Sequence, residues 1–92
     1  MMVEFTGLSR VLTGQTEYPL NLSTSAQLSD VLQAISTKYP ALVGDVIEKD
    51  GKSLVPTNLF SVNGQKIVHE EQLDYQPEDG DRLILLSLLA GG

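Results

Sequence analysis

The apolar run Leu83-Ile84-Leu85-Leu86 restricts the fold of this chain more than any other stretch. A strand with one face in water alternates apolar and polar residues, whereas this run is apolar at both parities. We therefore expect residues 82–86 to form a strand in the middle of a sheet, beside the first strand of the chain. We expect a strand held in the core to set the direction of the segment that follows it. In this chain that segment is Leu88-Leu89-Ala90-Gly91-Gly92.

The clearest helix pattern lies in the first half of the chain. Its apolar residues are spaced i, i+3, i+4, i+7 and i+11, and they are Leu28, Val31, Leu32, Ile35 and Tyr39. This spacing predicts an amphipathic helix with one apolar stripe. Thr24 and Gln27 fit a capping box at its start, and Pro40 ends it.

Two strands are predicted before that helix, over residues 3–8 and 17–22. The turn signal Thr13-Gly14-Gln15 lies between them, so we expect a hairpin. Pro19 cannot donate a ladder hydrogen bond, which places the second strand at an edge of the sheet.

A second hairpin is predicted around Asn63-Gly64, a pair typical of type I′ turns. It joins strands over residues 59–62 and 65–68, after a short helical turn and an irregular loop over residues 41–55. The resulting order, ββαβββ, predicts the α+β class, with a mixed sheet of four to five strands and one main helix on one face. We expect one domain over residues 1–92, with a flexible C-terminal tail over residues 87–92.

Composition excludes several classes of function. A net charge of -6 has the wrong sign for binding nucleic acid directly, and no apolar stretch is long enough to span a membrane. The absence of cysteine removes disulfides and thiolate chemistry. The single histidine, His69, lies beside Glu70 and Glu71 and is expected at the surface. We expect no metal and no cofactor, and in the absence of a signal peptide we expect the cytoplasm.

The chain ends in Gly91-Gly92, and glycine has no Cβ. A carboxylate on such a terminus can pass down a narrow channel, and its carbonyl carbon can be approached from either face. The alternative is an ordinary frayed terminus.

Several motifs in this order resemble the ubiquitin-like β-grasp sulfur carriers of the MoaD/ThiS family. They are Lys38-Tyr39-Pro40 at the helix end, Val62-Asn63-Gly64, Asp79-Gly80-Asp81 before the last strand, and Ala90-Gly91-Gly92. The resemblance implies a ubiquitin-like β-grasp fold and a carrier that is not itself an enzyme. It also implies that an ATP-dependent activating enzyme adenylates Gly92, after which a sulfurtransferase supplies the sulfur of a thiocarboxylate.

The pathway that the resemblance favours is molybdenum cofactor biosynthesis, in which the chain would be the small subunit of molybdopterin synthase, bound to a large subunit. The tail, however, is also similar to those of the ubiquitin-related modifiers of tRNA thiolation, because Ser87-Leu88 stands where molybdopterin synthase subunits often have prolines. Two alternatives remain open. One is a protein modifier joined to target lysines through Gly92, and the other is a plain β-grasp interaction domain.

We expect the C-terminal tail and the globular body to have different roles. Leu88, Leu89, Ala90 and Gly91 are expected to thread a partner's channel, and the five residues 88–92 span at most about 17 Å. The body would then dock through the sheet face away from the helix, where we expect Ile84 and Leu86 to bind the partner. Burial of both under residues 41–55 is the alternative, while Phe60 and Val62 are expected in the core.

Overall fold

The computed structural model, which describes residues 1–23 and 25–88, contains one mixed sheet of five strands in the order β2-β1-β5-β3-β4. The strands are β1 (Met2–Phe5), β2 (Glu17–Pro19), β3 (Asn58–Val62), β4 (Lys66–Val68) and β5 (Arg82–Ser87). β1 and β5 are parallel, and the other neighbouring pairs are antiparallel. The predicted central position of the last strand, beside the first, is confirmed, and so is the edge position of β2 with its Pro19.

The two faces of β5 have different surroundings. Leu83 and Leu85 are buried, and their partners across the parallel pair, Val3 and Phe5, are buried as well. Phe60 lies opposite Leu85 on the other side and has no exposed surface, so it belongs to the core as predicted. The side chains of the other parity in β5 keep part of their surface in water.

Helix α2 (Leu28–Lys38) covers the buried face of the sheet. Leu28, Val31, Leu32 and Ile35 of the predicted stripe are fully buried, and Tyr39 packs against the same cluster. The helix ends before Pro40, as predicted.

The start of α2 differs from the predicted capping box. The N-cap is Gln27, whose backbone N–H donates to the Asp30 carboxylate at 2.8 Å. The next two amides donate to main-chain carbonyls from a distant loop, Leu28 to Tyr75 and Ser29 to Leu73. These partners satisfy the first helical N–H groups, so no Thr24 cap is needed. Thr24 itself lies outside the described residues.

A second helix, α1 (Gly7–Thr13), stands where we predicted the end of a strand and a turn. Its N-cap Thr6 accepts a bond on its carbonyl from the Ser9 hydroxyl at 2.8 Å. The Thr6 hydroxyl donates to the carbonyl of Leu85 in β5 at 2.7 Å. β1 and β2 do pair antiparallel, as expected, but they are joined by this helix. Gly14 ends it at a φ of 69°, which glycine adopts without strain.

The turn at Asn63-Gly64 is confirmed, because φ is positive at both residues, 56° and 71°. The loop over residues 41–55 is irregular after one short 3-10 turn (Pro40–Leu42), also as predicted. Its apolar side chains belong to the buried cluster, and they are Leu42, Val46, Ile47 and Leu54. Within residues 1–23 and 25–88, no helix has the length and apolarity needed to cross a membrane.

Replacing Leu32 by alanine should lower the free energy of unfolding by about 2–5 kcal/mol, because the side chain is fully buried between α2 and the sheet. Urea or thermal unfolding measures this. The control is Val11→Ala on α1, where Val11 is 77% exposed and the change should stay within about 0.5 kcal/mol. Equal effects of the two substitutions would contradict this packing.

Candidate functional site

The sheet surface that α2 leaves uncovered carries Ile84 and Leu86 of β5, and both are half-buried. Ser61 lies opposite Ile84, and Leu59 lies opposite Leu86 across the β3–β5 pair. Ile67, on the edge strand β4, lies opposite Ser61 and is 46% exposed. Side chains opposite each other in such pairs share a face. We call these five residues, Leu59, Ser61, Ile67, Ile84 and Leu86, the sheet-face patch. Leu59 and Ser61 are only 4% and 5% exposed, so its accessible surface comes from the other three.

The loop over residues 41–55 does not fully cover Ile84 and Leu86. Its apolar side chains pack in the same cluster as Leu83 and Leu85, which is the opposite face of β5. Part of the Ile84 and Leu86 side chains is therefore accessible to a partner. Both also pack against neighbouring residues of the sheet, and neither is fully exposed.

A charged group flanks the patch on the side of β1 and β2. The Arg82 guanidinium contacts the carboxylates of Glu4 at 2.9 Å and Glu17 at 3.3 Å. The hydrogen bonds that Arg82 donates to Glu4 and then to Glu17 raise the pKa of Arg82 above its ordinary value. All three side chains are well exposed, so the group adds little to stability. With two carboxylates for one guanidinium, it leaves this flank negative.

The acidity of the chain is concentrated in the connection between β4 and β5. Residues 70–81 contain six carboxylates and neither lysine nor arginine, whereas the rest of the chain has six acidic and six basic residues. The net charge of -6 therefore resides in this one connection. Glu70 and Glu71 at its start are exposed, as is His69, which confirms the expected surface position of the histidine.

The tail leaves the body at the end of β5. Ser87 is still a strand residue opposite Asn58, so the segment that extends from the sheet begins later than the predicted residue 87. Leu88 donates its backbone N–H to the carbonyl of Thr57 at 2.7 Å, while its side chain is 63% exposed. The remaining predicted tail residues, Leu89, Ala90, Gly91 and Gly92, lie outside the described residues.

Sequence reasoning missed two features of this region. The group of Glu4, Glu17 and Arg82 joins residues 65 and 78 positions apart, and only the strand register brings them together. Asn58, 4% exposed, holds the start of β3 by donating its side-chain amide to the carbonyl of Val55 at 3.2 Å. The one available signal was an asparagine directly before the predicted strand over residues 59–62, a residue type whose side chain often hydrogen-bonds nearby backbone groups.

Among the residues that the structure describes, no group of three or more histidines or carboxylates is placed to hold a metal ion.

The family model of ThiS matches residues 3–92. The chain belongs to the ThiS family. Its members are small ubiquitin-like carriers and modifiers, not catalytic enzymes. The resemblance to the MoaD/ThiS carriers and the ubiquitin-like β-grasp fold are both confirmed.

Relatives of this ThiS-family chain span nearly its whole length. It is 29% identical over 90 residues to small archaeal modifier protein 3 of Haloferax volcanii, covering 98% of this chain and 96% of the relative. The solved structure of small archaeal modifier protein 1 of Methanosarcina acetivorans is 31% identical, with a TM-score of 0.77 and coverage of 99% and 94%. Urm1 from Trypanosoma brucei is 29% identical, with a TM-score of 0.69 and coverage of 99% and 93%.

Proposed function

We propose that this ThiS-family chain is a sulfur carrier whose Gly92 carboxylate is adenylated by an ATP-dependent activating enzyme and then converted to a thiocarboxylate. The observation that carries the proposal is the family match, which runs through Gly91-Gly92 to residue 92. It is supported by the path of the chain, because β5, held between β1 and β3, leads directly towards that terminus.

The chemistry is dictated by the weakness of a carboxylate as an electrophile. Its negative charge repels nucleophiles, and it has no good leaving group. Attack of the Gly92 carboxylate on ATP releases pyrophosphate and leaves an acyl adenylate, from which AMP can depart. A sulfurtransferase supplies sulfur at the oxidation level of sulfide, which attacks the carbonyl carbon, so that a C–S bond forms as the C–O bond to AMP breaks and AMP leaves. The sulfur then sits on the main chain, so the carrier needs no cysteine of its own, and this sequence has none.

The body supplies recognition in this mechanism. Leu88, Leu89, Ala90 and Gly91 would occupy the partner's channel, while Ile84 and Leu86 dock against an apolar strip on the partner's surface. The acidic connection over residues 70–81 and the negative flank at Glu4 and Glu17 favour a partner with basic residues around that strip, because complementary charge speeds productive encounter.

The destination that we propose for the sulfur is molybdopterin, with the chain as small subunit of a synthase in the cytoplasm and a large subunit as its partner. Thiolation of tRNA is the competing destination, and the likeness to Urm1 favours it. Reconstitution with a large synthase subunit or with a tRNA thiolase separates the two destinations.

Incubation with ATP, the cognate activating enzyme and a sulfur donor should raise the intact mass of the chain by the difference between a sulfur and an oxygen atom. The control lacks Gly91 and Gly92 and should keep its mass. An unchanged mass of the full chain would refute the carrier function. A shortened chain that still performs the cellular function would instead favour a plain interaction domain.

Replacing Leu86 by aspartate should weaken binding to the activating enzyme by about tenfold or more, because it places a charge in the centre of an apolar contact. Val11→Asp, on exposed α1, is the matched control and should bind like the wild type. Calorimetry measures the affinities, and circular dichroism confirms that both variants fold. Equal affinity of the two variants would exclude the sheet-face patch from this interface.

A second function, protein modification, is favoured by the two relatives named small archaeal modifier proteins, 29% and 31% identical to this chain. The same acyl adenylate that accepts sulfur can also be attacked by a lysine amine, directly or through a thioester, with release of AMP and formation of an isopeptide bond.

If the chain modifies proteins, digestion of cell extracts with a protease that cleaves after alanine should leave Gly-Gly remnants on target lysines, because Ala90 precedes Gly91-Gly92. Mass spectrometry detects the remnants, and cells carrying the chain without Gly91 and Gly92 provide the background. Identical remnant sets in the two cell lines would exclude conjugation.

A further inference from the structure

The point at which the tail leaves the body is held by the main chain. The β3–β5 ladder ends with Asn58 opposite Ser87, and one further bond lies beyond it, from the Leu88 N–H to the Thr57 carbonyl at 2.7 Å. The Leu88 side chain is largely in water and has little part in this attachment. Leu88 is thus attached to the body by the hydrogen bond that its backbone amide donates.

The Thr57 carbonyl is itself held in place by Asn58. The backbone N–H of Asn58 donates to the Val55 carbonyl at 2.9 Å, and its side-chain amide donates to the same carbonyl at 3.2 Å. The side-chain amide also lies 3.4 Å from the Thr57 hydroxyl oxygen. Asn58 is 4% exposed, whereas Val55 and Thr57 are half-buried and Pro56 is exposed, so the turn lies at the surface and only its Asn58 end is buried. A buried amide with these partners orients the preceding carbonyl towards β5.

We infer that Asn58, acting through the Thr57 carbonyl, is a positioning residue that sets how far Gly92 reaches from the body. The inference rests on the proposed activation of Gly92. With Leu88 hydrogen-bonded to Thr57, four residues remain beyond it, and these span at most about 14 Å. The five-residue tail expected from the sequence would span about 17 Å. Releasing the bond adds one residue, about 3.5 Å, to the reach.

The distance that the tail spans matters because the Gly92 carboxylate has to come within bonding distance of the α-phosphate of ATP while the sheet-face patch is docked on the activating enzyme. Displacements of about 1 Å can cost up to 10²-fold in rate. A tail that is one residue too short cannot place its carboxylate and also keep the docked position of the sheet-face patch.

The test uses length compensation, measured as kcat/KM for ATP–pyrophosphate exchange with the cognate activating enzyme. Deleting Leu89 should lower kcat/KM by roughly tenfold or more. Adding Leu88→Pro removes the N–H donor and frees one residue, so it should restore kcat/KM by several-fold. Leu88→Ala, which keeps the amide, is the matched control and should restore nothing.

Asn58→Ala should act with opposite signs in two backgrounds. It should lower kcat/KM in the full-length chain and raise it in the chain lacking Leu89, and in both it should speed hydrogen exchange of the Leu88 amide. General destabilisation would lower kcat/KM in both backgrounds.

Rescue by proline but not by alanine, together with the sign change at Asn58, supports the inference. Rescue by both substitutions at Leu88, or by neither, overturns it while the proposed function stands. A wild-type chain that no activating enzyme adenylates overturns the proposed function and, with it, this inference.

Discussion

The parallel pairing of β1 with β5 is the interaction on which the rest of the structure depends. It places Val3 and Phe5 beside Leu83 and Leu85 under α2, and it leaves β3 to bond the other side of β5. A strand with neighbours on both sides has its backbone fixed along its length. β5 is the last strand among the described residues, so the chain passes from this doubly bonded strand to Leu88.

The same strand joins the core to the surface. One parity of β5 is buried, and the other, at Ile84 and Leu86, forms the middle of the sheet-face patch. In the proposed function, a partner that docks there contacts side chains of the same strand whose backbone continues into Leu88. The excess negative charge lies in the connection over residues 70–81, outside the apolar centre, where it can guide a partner without being buried.

Local patterns predicted most of the fold correctly. The helical stripe, the Asn63-Gly64 turn, Pro19 at an edge and the two-sided apolar run of β5 each depend on residues that are close in sequence. Helix α1 was missed because it has only seven residues, too few to show a clear period, and part of its stability comes from the Thr6 hydroxyl donating to Leu85. The Thr6 and Ser9 pair at the start of α1 is the sequence signal for this helix. It predicts the helix only when β5 is present to accept the Thr6 hydrogen bond.

By itself, the sequence determined the class of the fold, the central last strand and the resemblance to the family, because periodicity, turn chemistry and composition are local properties. Tertiary structure decided which carbonyl accepts the hydrogen bond of the Leu88 amide, how Asn58 orients the Thr57 carbonyl, and which carboxylates contact Arg82. These contacts join residues far apart in the chain, and they depend on strand register. Register is set by how all the strands pack together, so no single stretch of sequence contains it.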